Sequence, residues 1–145
     1  MKNIFLFLCL IGISMLSKGQ TTQTDSWKIK WNKKTILETA KENEADNTQK
    51  VKLADLKDNC FLKVSYKENP PKTEWKRDFL FFDEGDNELL RKDSTTSTKI
   101  PGSELKKLFA GKKKIMIYTV SLPTDPDLAA RIRIRRVHLC TLELQ

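Results

Sequence analysis

Apolar side chains recur at every second position along much of this chain, and that period commits it to β structure. Trp27, Ile29 and Trp31 alternate with Lys28 and Lys30, and Cys60, Leu62, Val64 and Tyr66 alternate with Phe61, Lys63, Ser65 and Lys67. Val51 and Leu53 alternate with Lys50 and Lys52 in the same way. Each stretch buries one face and wets the other, as strands of antiparallel sheets do. Asn69-Pro70-Pro71-Lys72 interrupts the pattern, because proline has no amide hydrogen to give to a ladder. Residues 75–82 then run apolar on both faces at Phe79-Leu80-Phe81-Phe82, which suits a central strand. Residues 83–87 have turn chemistry and return the chain as a hairpin through residues 88–92. Residues 94–99 suit a loop or an edge strand, and the polar segment 41–50 reads as a surface loop.

One short helix interrupts the β pattern. Ser103 is a plausible N-cap, Glu104 stands in the first turn, and Leu105, Leu108 and Phe109 share a face. Gly111 suits the C′ position, and Lys112, Lys113 and Lys114 complement the negative helix end. Two turns do not hold themselves together in water, so packing must hold them, plugging one end of the β structure. Residues 115–122 read as a buried strand, followed by a tight connection around Pro123 and Pro126. A long last strand is expected over residues 131–144, with its apolar set changing face near Arg135 and Arg136, as at a bulge. Strands of this number, with one helix, predict a mostly antiparallel β-sandwich of Ig-like or similar Greek-key type. A small β-barrel is the alternative.

The first residues bear on the compartment. Lys2 precedes an apolar run over residues 4–16, and Ser17 and Gly19 stand at the −3 and −1 positions of a cleavage site. The run is shorter than the ~20 residues a spanning helix needs. This opening resembles bacterial export signals, so residues 1–19 are expected to be a signal peptide and residues 20–145 one exported domain, periplasmic or secreted. Cys9 lacks the small residue that precedes a lipidated cysteine and is expected to leave with the leader. No further transmembrane segment is expected. Losing Lys2 and Lys18 takes the formal net charge from +8 to +6, an excess that favours acidic surfaces without naming one.

Few residues invite chemistry. Cys60 and Cys140 both fall on apolar faces, so they read as buried thiols or, outside the cytoplasm, as an inter-sheet disulfide. His138, the only histidine, shares a face with Cys140 in the expected long strand, and Met116 adds a thioether. A copper site wants a second imidazole, and residues two apart on a strand sit ~7 Å apart, too far for a nucleophile–base pair. Asp83, Glu84 and Asp86 lack the ligand spacing of a calcium loop, and Asp125 and Asp127 suit turn or capping roles. No cofactor is expected. Arg131, Arg133 and Arg135, with Arg136 beside them, form a line of positive charge along the last strand, suited to an acidic glycan, a lipid headgroup or an acidic protein. Nucleic acid is disfavoured by the compartment and by the lack of interleaved aromatics. The sequence therefore favours a binding or interaction module of the cell envelope over catalysis. The alternatives are a small hydrolase whose carboxylates meet only in the fold, and a metal carrier built on His138, Cys140 and Met116.

Overall fold

Strands form where the alternation sits. The computed structural model describes residues 24–145, and the signal peptide expected over residues 1–19 lies outside the described residues. Strands β1 (Ser26–Trp31), β2 (Lys34–Thr39), β4 (Phe61–Lys67) and β7 (Ser97–Pro101) make one sheet in the order β2-β1-β4-β7. Strands β3 (Thr48–Val51), β5 (Trp75–Phe82), β6 (Glu88–Lys92), β8 (Lys114–Pro123) and β9 (Val137–Leu144) make the second, ordered β3-β9-β8-β5-β6. The sheets share one core. Ile29, Leu62, Val64 and Ile100 of the first meet Phe79, Phe81, Ile115, Ile117 and Leu142 of the second, all shielded from solvent. Both sheets keep open edges, so the architecture is a β-sandwich and the barrel alternative falls.

Apolarity on both faces of β5 has a direct cause. Phe79 and Phe81 point into the shared core, while Leu80 and Phe82 join Val120, Met116, Tyr118 and Leu122 in a second cluster on the outer face. β5 is internal, paired with β6 and β8. Residues 83–87 close the β5–β6 hairpin, with the Asp83 carboxylate accepting from the amides of Gly85 and Asn87. Those bonds, the Asn87 amide first, hold the Asp83 carboxyl below its ordinary pKa.

Several expectations are corrected. β2 is a strand that the alternation does not announce, and a register irregularity between Ile29 and Lys30 accompanies it. The surface loop is shorter than residues 41–50, because Thr48–Val51 pairs with β9. That pairing is parallel, the one departure among the described strand pairs from an antiparallel arrangement. Leu53 belongs to a 3-10 turn (Leu53–Asp55) and is exposed. Helix α1 (Gly102–Leu108) starts before Ser103, with extended Pro101 at the cap position and no side-chain cap. Its Leu105 and Leu108, with Phe109, do enter the core. Gly111, at φ +70°, makes the left-handed turn into β8.

The largest correction concerns the tail. No strand covers residues 131–136. Pro126–Arg131 is a second helix, α2, whose cap Asp125 accepts from the amides of Asp127 and Leu128 while Pro126 opens the first turn. An Asp-Pro start favours a helix strongly enough to override the Arg/Ile alternation that follows it. The bulge lies further on, in β9 itself. Ile117 pairs with Cys140 and Tyr118 with His138, leaving Leu139 as the extra residue. Leu139 and Cys140 therefore both reach the core, and the Leu139 carbonyl accepts from the Trp27 indole at 2.8 Å.

Candidate binding face

Register decides which side chains meet on the outer face of the four-stranded sheet. Because Trp27, Ile29, Leu62, Val64 and Ile100 point inward, their neighbours Lys28, Lys30, Lys63, Ser65, Lys67, Ser97 and Lys99 point outward. Lys30 stands directly opposite Lys63, and Lys63 directly opposite Lys99, so three lysine positions line up across three neighbouring strands. The adjoining row runs Glu38, Lys28, Ser65, Ser97. Glu38 pairs with Lys28 at 3.0 Å, and the two serine hydroxyls share a hydrogen bond at 3.1 Å. Lys67 follows opposite Ser26. Between the strands lies a depression of about 310 Å³ edged by Lys28, Lys30, Lys63 and Lys67.

Electrostatically this face is one-sided. Like charges opposite each other on neighbouring strands are destabilising, and Glu38 is the one carboxylate paired with these lysines among the described residues. Lys99 finds a different neighbour, its Nζ lying 4.0 Å from the centre of the Phe61 ring. What such a surface can do chemically is hold anionic groups in a row.

The arginines singled out from the sequence do not form a line. Arg131 ends α2, Arg133 lies in the irregular connection, and both are exposed. Arg135 is paired with Glu42, whose other oxygen accepts from the His138 amide. Arg136 grips Asp86 at 2.8 Å and lies over the rings of Phe82 and Tyr118, capping the outer apolar cluster. Two of the four are thus committed to tying the connection down.

The bulge in β9 also separates the residues considered for metal or thiol chemistry. Cys140 points into the core and His138 away from it, on the side of Met116 and Tyr118. Cys60 and Cys140 are both free and buried, so the disulfide is not formed. Burial alone pushes the Cys140 thiol up to about 12, which keeps it protonated and inert. Among the described residues no three of His, Cys, Asp and Glu gather as a metal site requires. Asp125 is a helix cap, as its place beside a proline suggests, and Asp127 donates its amide to it.

His138 Nε2 bonds Thr141 Oγ1 at 2.9 Å, and its ring packs edge-on against Tyr118. Burial lowers its pKa below the ordinary value, partly opposed by Glu44 and Glu42 across the loop. The unfolded chain therefore takes up a proton first as pH drops through about 6.5. Stability from this group is complete above that pH and is lost on further acidification. Thermal melts between pH 7.5 and 5.5 should show a downward slope that His138→Gln flattens; parallel slopes in the two proteins would remove this account.

Alternation along the sequence marks Lys30 and Lys63 as outward residues but does not place Lys99, and it cannot show that the three align, because alignment belongs to register between strands 33 to 69 residues apart. No helix of the described residues is long and apolar enough to cross a membrane. No protein-family model, no curated protein and no solved structure matches this chain.

Proposed function

We propose that this protein is an exported binding domain of the cell envelope, and that its working surface is the lysine face of the four-stranded sheet. The observation that carries the reading is the row Lys30–Lys63–Lys99, in which Lys63 stands opposite a lysine on each neighbouring strand. Like charges in such a row repel one another at low ionic strength, and an anion that bridges them relieves the repulsion. A rigid sheet suits this task, because the strands fix the spacing of the charges before the ligand arrives.

Two measurements on one variant test it. Replacing Lys30, Lys63 and Lys99 together with glutamine should lower the salt needed to elute the protein from a heparin column. The same variant should be at least as stable as the parent at low ionic strength, because like-charge repulsion is gone. Arg131→Gln with Arg133→Gln serves as the contrast and should elute within a small margin of the parent. Unchanged elution of the lysine variant would remove the reading, and an effect confined to the arginine variant would move the surface to the α2–β9 connection.

A further inference from the structure

Resting on that reading, we infer that the lysine face takes a linear acidic glycan, with one sugar ring seated on Phe61 at the end of the charged strip. On β4 the outward positions run Phe61, Lys63, Ser65, Lys67, so charge and hydroxyl groups extend ~20 Å from a single aromatic platform. Beyond Phe61 the surface sinks into a depression of about 590 Å³ edged by Trp31, Asn32, Lys33, Lys34 and Asn59. Phe61 is half-buried on the outer face, whereas Trp31, also half-buried, packs against the core and reaches the depression from the end of the sheet. Asn32 and Asn59 are exposed. The Asn32 side-chain oxygen Oδ1 accepts from the Phe61 backbone amide at 2.9 Å, which locks the β1–β2 turn beside the ring.

These groups divide the recognition of an acidic sugar polymer between them. The C–H face of a pyranose ring packs on an aromatic ring, amides hydrogen-bond its hydroxyls, and ammonium groups meet the carboxylates carried by successive residues. Lys99 Nζ lies 4.0 Å over one face of the Phe61 ring, so the sugar takes the other face, toward the depression. Nucleic acid fits less well. Single strands are held by aromatics that repeat along the groove, and phosphates favour the two-pronged guanidinium. Here the aromatics stand at one end only, and every outward cation on β1, β4 and β7 is a lysine.

The probes are polygalacturonate, a carboxylate on every residue, and an oligothymidylate of similar length, with inorganic polyphosphate as the sugar-free polyanion. The parent should bind polygalacturonate at least tenfold more tightly than oligothymidylate at equal salt. Phe61→Ala should weaken polygalacturonate at least tenfold and polyphosphate less than threefold, with the folded state checked by its melting temperature. Asn59→Ala, at an exposed position, should weaken polygalacturonate several-fold without touching stability. Oligothymidylate binding as tightly as polygalacturonate, or a Phe61→Ala variant indistinguishable from the parent on the glycan, overturns the glycan assignment. If heparin retention still depends on Lys30, Lys63 and Lys99, the wider reading survives that failure; if neither polymer responds to those lysines, both fall.

Discussion

Gly102→Ala should melt about 10 °C below the parent, a loss of ~3 kcal/mol, although it adds a single methyl group. The position has no room. A Cβ there would overlap the carbonyl oxygen of Lys57, come within 2.9 Å of its carbon and within 2.5 Å of the Cys60 sulfur. The first obstacle is backbone, and backbone that is already tied: the Lys57 carbonyl accepts from the Cys60 amide, and the Gly102 amide donates to the Cys60 carbonyl at 2.8 Å. Relief therefore requires parting the loop before β4 from the start of α1, which drags Leu105, Leu108 and Phe109 out of the core they close. Adding Cys60→Ala removes the sulfur and leaves the carbonyl, so the double variant should recover only a minor part of the loss. Full recovery in urea titrations would show that sulfur crowding, not backbone, made the site intolerant.

That glycine was not singled out from the sequence, and the reason is general to this fold. What period-2 patterning reveals is which residues face inward; β1 and β4 follow from it directly, β5 and β8 from their apolar runs, and the β5–β6 hairpin from its Asp, Gly and Asn residues. It fails where the strand is short or irregular. In β2 the adjacent Ile36 and Leu37 both pack on the core, so the sequence shows no alternation, and β3 offers only Val51 as a buried residue. It misleads where the period is present without a partner strand: Arg131, Ile132, Arg133 and Ile134 alternate well, yet Arg131 ends the capped helix and the residues after it stay unpaired. Contacts between distant segments lie outside its reach altogether. Gly102 is glycine because of Lys57, and the lysine face exists because Lys30, Lys63 and Lys99 fall into one row. An excess of positive charge was legible; the lysine face was not.

Arg77→Met should cost about 3–5 kcal/mol, the usual penalty for stranding one member of a buried ion pair. Arg77 is 5% exposed, and Glu68, which it grips at 2.8 Å and 3.2 Å, lies beside it with a side chain only 11% exposed. The guanidinium also donates to Thr119 on β8 and lies 3.7 Å from the centre of the Tyr66 ring. Tyr66 in turn stacks on Trp27 and donates to Asp25, which fixes the entry to β1 and accepts from the Asn69 amide. Burial first, and then the bond to Asp25, push the Tyr66 phenol up to about 12, so it remains a donor throughout the physiological range. One cation thus joins the two sheets at the end of the sandwich where the lysine strip ends at Lys67. Removing it leaves the Glu68 carboxylate in a site that solvates it poorly, whereas removing both charges does not. Glu68→Gln in the Arg77→Met background should therefore restore more than half of the lost stability, and the cycle of single and double variants should give a coupling of ~2 kcal/mol. Additive losses would mean that Arg77 acts through its packing on Tyr66, with Glu68 as a bystander.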